Sequence, residues 1–280
     1  MRRRTFLKIA TTAVITGAFA PRALAEIVAN RHNATQETYD DHIKDYIHKM
    51  RNFNAFNEDD ICLDRKEYRI LEQSMSRLKR LERTVGHGNF QLLDFDDALK
   101  FARNYSQVGG FTRAELDFLE MVFHKDASLY GFLGEKPLKN ITDSLPHRSI
   151  VKVPRTGNYV YKGLPLDTYK RIRRDVGNQA ILISGVRSVV KQILLFLNKA
   201  YKNKGNLSLA SRSLAPPGFS FHGVGDFDVG QVGLGAANFT ERFITTEVYS
   251  RIIKLDYVTL RYGRNNLLGV RFEPWHIKVT

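Results

Sequence analysis

The stretch Ser220-Phe221-His222-Gly223-Val224-Gly225-Asp226-Phe227-Asp228 sets one histidine and two aspartates where a strand-forming context would otherwise be apolar. Phe227 to Val229 reads as a short strand, so the polar residues around it serve something other than the core. A second cluster of the same character, Glu273-Pro274-Trp275-His276, lies near the C-terminus. Residues three apart in a flat strand point to opposite faces, so Glu273 and His276 share a site only if the backbone turns between them. Pro274 suits that break, because proline is excluded from regular central ladders. Two histidines and a carboxylate make a catalytic zinc set, since three protein ligands leave a fourth position for water that the metal acidifies. Glu273, close to one ligand, is then the general base. Trp275 reads as core.

Working outward, Ala180-Ile181-Leu182-Ile183 predicts a short buried strand, followed by Ser184-Gly185 and a helix whose apolar face is Val189, Val190, Ile193, Leu194 and Leu197. Arg187 opens that helix, where its guanidinium can bind a carboxylate bidentately or steady an oxyanion. A helix is expected from Thr246 to Leu255. Closing strands are expected over Tyr257 to Arg261 and Gly269 to Phe272, with the turn-rich Gly263-Arg264-Asn265-Asn266 between them. The second half therefore reads α+β, a small antiparallel sheet with helices. The first half is mostly helical from Ala34 to about Tyr130. Tyr68, Leu71, Met75, Leu78 and Leu81 recur on one helical face. Thr112-x-x-Glu115 has capping-box spacing, with Phe111 placed to staple onto Leu116, and Asp94 to Tyr105 gives a further helix. Between Gly134 and Asp167 the composition shifts to Pro, Gly and short β-branched runs, which marks the junction.

Ser220-x-His222-x-x-Gly225 with a following aspartate, Glu273-x-Trp275-His276, and Ser184-Gly185-x-Arg187-Ser188 with Gln192 together resemble the D-alanyl-D-alanine carboxypeptidases of the VanY type, in the M15 metallopeptidase group. The resemblance covers about residue 178 to 280. It implies that His222, an aspartate and His276 bind zinc, that Glu273 is the base, and that Arg187 contacts substrate near the scissile bond. By the same likeness Ser220 lies against bound peptide, and Gln192 belongs to the substrate-binding motif. The family usually places its aspartate seven residues after the first histidine, which here is Val229. Asp228, at six, is preferred, because Phe227-Asp228-Val229 repeats the family's apolar-Asp-apolar strand and a one-residue deletion after Gly225 restores register. Asp226, at four, is the alternative. Its spacing is similar to that of lysostaphin-like peptidases, but their His-x-His pair is missing. Whichever aspartate binds zinc, the other is placed to hydrogen-bond behind it.

The chain opens with Arg2-Arg3-Arg4, a weakly apolar run from Ile9 to Ala20, and Ala23-Leu24-Ala25, a small-x-small cleavage signal. Arg3-Arg4-x-Phe6-Leu7-Lys8 resembles a twin-arginine export signal. The expected division is thus 1–25 signal peptide, 26–145 helical region and 146–280 zinc peptidase domain. Removing residues 1–25 takes away five basic residues and no acid, so the net charge of +14 falls to +9. A basic exported protein meets anionic wall polymer or lipid headgroups rather than nucleic acid. No stretch reaches the roughly 20 apolar residues of a membrane span. Cys62 is the only cysteine, so no internal disulfide forms. The expected function is zinc-dependent hydrolysis of peptidoglycan stem peptides, foremost release of a terminal D-alanine, by a protein exported to the periplasm or cell envelope. The alternatives are an endopeptidase with the same centre and a non-catalytic wall-binding protein on the same fold.

Overall fold

Asp64 begins the longest helix among the described residues, where its carboxylate accepts from the Glu67 amide at 2.7 Å while the Glu67 side chain accepts from the Asp64 amide at 3.0 Å. This helix, α1 (Arg65–Val85), buries Leu71, Met75, Leu78 and Leu81 and stops at Gly86, whose φ of 87° breaks the helical path. The computed structural model describes residues 45–280. The expected signal segment lies outside them. Helix α2 (Phe95–Asn104) follows, then α3 (Arg113–His124), which carries the expected capping box between Thr112 and Glu115. Glu115 is also buried against α1, where Arg77 Nε donates to it at 3.0 Å. No described helix is long and apolar enough to cross a membrane.

A short hairpin, β1 (Ile150–Lys152) with β2 (Tyr159–Tyr161), leads into α4 (Leu164–Val176), then β3 (Ala180–Ser184) and α5 (Val189–Lys202). Ser188 caps α5 by accepting from the Lys191 amide. The rest of the sheet comes from β4 (Phe227–Gln231), β5 (Thr259–Leu260) and β6 (His276–Lys278), with α6 (Glu247–Ile252) between β4 and β5. All pairings are antiparallel, in the order β3-β4-β6-β5. The expected helix and first closing strand are present in shortened form. Gly269 to Phe272 is not a strand. Gly269 has φ +75° and a Cβ there would strike the Gly131 carbonyl, while the amides of Arg271 and Glu273 bond to Arg212 and Tyr262 rather than to a ladder. The last strand is formed by His276 to Lys278 instead.

Residues His48–Thr280 hold two apolar clusters. One joins α1, α2 and α3 to α5 through Leu78, Phe95, Phe123 and Phe196, so the helices of the first half close over a helix of the second. The other lies on one face of the sheet, where Leu182, Phe227, Val229 and Ile277 meet Tyr169, Ile172 and Val176 of α4. Each such buried side chain contributes about 1.5–3 kcal/mol. Alternation along the strands leaves the opposite face to different residues. A register shift between Leu182 and Ser184 brings Ser184 opposite Asp228, and Asp228 in turn pairs with His276. Cross-strand partners carry their side chains on one face, so a polar row runs over three strands.

Candidate metal centre

His222 sits in a single turn, Phe221–Gly223, just before β4. Its Nδ1 faces the Gly185 carbonyl at 2.7 Å, an acceptor only, so Nδ1 carries the proton and Nε2 presents a lone pair. That lone pair points at Asp228 Oδ1, 3.2 Å away. Burial, and secondly Arg187, hold the His222 imidazole neutral. Burial works against ionisation of Asp228 as well, but the charges of Arg187 and His276 help to offset it and keep the carboxyl below its usual range. The proximity of the pair resembles an ion pair, yet neither Nε2 nor Oδ1 has a hydrogen-bond partner, and both are buried. Two acceptors turned on each other in a dry pocket repel unless a cation lies between them.

His276 supplies the third side. Its Nδ1 lies 3.8 Å from Asp228 Oδ1 and 3.1 Å from Glu273 Oε2. Ligand atoms of His222, Asp228 and His276 all fall within 4.8 Å of one another. Tetrahedral zinc with bonds of about 2.0–2.1 Å has ligand atoms roughly 3.3 Å apart, so this donor set fits zinc in both chemistry and spacing. The other ring nitrogen of His276 is taken: Nε2 lies 3.1 Å from Asp226 Oδ2. Asp226 is itself fixed, accepting from Arg261 Nε at 2.6 Å, Arg261 Nη2 at 3.0 Å and the Val279 amide at 2.9 Å. Asp228 thus faces the cluster and Asp226 stands behind it. Burial lowers the His276 pKa, but the hydrogen bonds to Asp226 and Glu273 prevail and raise it to about 9.

The backbone does turn at Pro274, since the His276 amide returns to the Glu273 carbonyl at 3.2 Å. Arg187 reaches the cluster rather than the surface: Nη2 donates to Asp228 Oδ2 at 2.7 Å and Nε to Ser184 Oγ at 2.9 Å. Ser220, Arg187 and Glu273 line a cavity of about 310 Å³ together with the three ligand candidates. Gln192 does not. It is 3% exposed, its Nε2 donates to the Arg187 carbonyl and its Oε1 accepts from the Gly218 amide at 2.9 Å, so it ties two loops together behind the cavity. Trp275 is buried in the sheet core against Phe239, and one part of it also lines the cavity. Tyr262, which no motif singles out, packs edge-on to the His276 ring at 5.1 Å and borders the same space. Arg261 is the other addition; it ends the expected closing strand, and Tyr262 follows directly after it.

Residues 168–279 match a family model described as VanY: D-alanyl-D-alanine carboxypeptidase. No match is found among curated proteins. Similar solved structures include an LdcB LD-carboxypeptidase, 21% identical over 49% of this chain and 70% of that one, with a TM-score of 0.40. A VanY D,D-pentapeptidase of a VanB-type resistance cassette, in complex with Zn(II), is 25% identical over 51% of this chain and 85% of that one, with a TM-score of 0.34. The D,D-dipeptidase VanXYg is 21% identical over 54% and 62% of the two chains, with a TM-score of 0.41. The family match spans every residue of the cluster from Arg187 to His276.

Proposed function

Residues 168–279 form a VanY-type D-alanyl-D-alanine carboxypeptidase domain, a zinc metallopeptidase, and from that premise we propose that His222, Asp228 and His276 hold the zinc and Glu273 is the base. The observation that carries this assignment is the pair of partnerless buried acceptors, His222 Nε2 and Asp228 Oδ1, with His276 Nδ1 completing the set. Zinc bound there supplies a Lewis acid at the scissile carbonyl and makes water acidic enough to lose a proton near neutral pH.

The remaining work falls to the chain's own groups. Glu273 Oε2, beside His276, accepts a proton from the attacking water and passes it to the leaving amine. Arg187, fixed by Ser184 and Asp228, directs its charge at the carbonyl oxygen as negative charge grows there. Ser220 bounds the peptide's path along the cavity. The Gly185 carbonyl and the Asp226 carboxylate hold the outer nitrogens of the two histidines and so aim their lone pairs.

The substrate class follows from the same premise: peptidoglycan stem peptides that end in D-alanine. Export supports it, because the substrate lies outside the cytoplasm and residues 1–25 read as a signal. The twin-arginine route rests on Arg3-Arg4-x-Phe6-Leu7-Lys8. Incubation of the zinc-loaded protein with defined tetrapeptide and pentapeptide muropeptides should release D-alanine from the pentapeptide. Glu273→Gln should retain zinc and lose about 10²–10⁴-fold in turnover. Release of D-alanine at the unmodified rate by the variant would refute the mechanism.

A further inference from the structure

The cavity beside the metal-ligating cluster has a second charged end, which the steps above do not use. Asn198, Lys199 and Lys202 face it from the last turns of α5, and Arg271 faces it from the loop before β6. None of these three cations makes an ion pair among the described residues. Arg271 Nη2 donates to the Phe239 carbonyl at 2.9 Å and its guanidinium rests on Trp275 at 4.9 Å, but Nε is buried without a partner. Burial first, then Arg271 and Lys202, depress the Lys199 pKa, and burial depresses that of Arg271. Glu273 and Glu241 pull Arg271 partly back, though neither is at ion-pair distance.

Lysines in the last turn of a helix complement its dipole, and that alone explains why Lys199 and Lys202 are where they are. It explains neither Arg271, which arrives from a separate segment, nor its orphaned Nε. Arg187, a further cation in the cavity, is already committed to Asp228 and Ser184. Three like charges converging with no carboxylate at ion-pair distance among the described residues, one of them with a desolvated donor, form an arrangement that an anion relieves.

We propose that Arg271, Lys199 and Lys202 form a receptor for a free carboxylate of the bound peptide, set apart from the metal-ligating cluster within the same cavity. A planar guanidinium matches a carboxylate, and the two lysines add point charge beside it. The term peptide rests on the peptidase reading, but the receptor itself rests on the side chains alone. At about 310 Å³ the cavity stands at the small end of ligand sites, which span roughly 300–1,000 Å³. The carboxylate therefore belongs to a short stretch of one chain. It is either the α-carboxylate of the residue to be released or a side-chain carboxylate one or two residues upstream.

Calorimetry on the full-length Glu273→Gln protein separates these. The probes are acetyl-lysyl-D-Ala-D-Ala as free acid, the same peptide as C-terminal amide, and both with the lysine replaced by diaminopimelate. Peptides carrying the recognised carboxylate should bind roughly tenfold or more tightly than their uncharged counterparts. Adding Lys199→Gln and Lys202→Gln should erase that preference, and Arg271→Lys should retain part of it. A preference that follows the amide substitution identifies the α-carboxylate, and one that follows diaminopimelate identifies the side chain. No preference in the parent protein, or a preference untouched by the two lysine substitutions, would overturn the receptor. Because binding needs no turnover, a protein that binds acids selectively but never releases D-alanine would defeat the hydrolase reading and leave the receptor standing.

Discussion

The two faces of the four-stranded sheet are built from alternate residues of the same strands and have opposite chemistry. One face presents Leu182, Phe227, Val229 and Ile277 to α4 and is apolar throughout. The other presents Ser184, Asp228 and His276 in a row whose last two members are almost as dry, with Asp228 at 1% and His276 at 4% exposure. Dryness on the first face is stabilising by itself. On the second it costs free energy until the acceptors find a cation. The apolar face is therefore the support, and the polar face is the strained part it holds in place.

Breaking the support should give the largest effect. Phe227→Ala leaves a cavity beneath the row and should cost about 3–5 kcal/mol of stability, measured by denaturant unfolding of the zinc-loaded protein. An effect under about 1 kcal/mol would show that the sheet does not depend on that face. Loosening the polar face from behind should cost less. Asp226→Asn keeps a partner for His276 Nε2 but removes the charge, and should weaken zinc binding about 10–100-fold in a chelator competition with the fold intact. Unchanged affinity would mean that Asp226 serves only Arg261.

The smallest expected effect is on pH. In the metal-free protein His276 has a pKa raised to about 9 against an ordinary value near 6.5. Its contribution is present in full below about 6.5 and is lost as pH rises through about 9. The melting temperature of chelator-treated protein should fall over that window, and zinc uptake within it should release a proton. Asp226→Asn should flatten the dependence. A metal-free melting temperature that rises across the window would contradict the protonated imidazole.

Much of the site was legible because its residues are chemically conspicuous. His222, Glu273 and His276 stood out by residue type and setting, and the family resemblance gave them their proposed roles. The choice between Asp226 and Asp228 was not legible from alternation, since residues two apart share a strand face. What separates them is that β4 starts at Phe227, so Asp226 belongs to the turn after Gly225, whose φ of 146° turns the chain there. Counting residues cannot show where a strand starts. For Gln192 the sequence offered only its place in a motif, whereas the structure shows its amide bonded to two loop backbones. The strand expected at Gly269 to Phe272 failed because the close approach of Gly269 to Gly131 depends on a contact far away in sequence. Helices α1 and α3, by contrast, were fixed by local capping and a clear apolar stripe.

A zinc-soaked crystal examined at the zinc absorption edge shows which atoms hold the metal. One anomalous peak is expected, bonded to His222 Nε2, an Asp228 oxygen and His276 Nδ1, with Asp226 remaining on His276 Nε2. A peak bonded to Asp226, or none within the cluster, would contradict it.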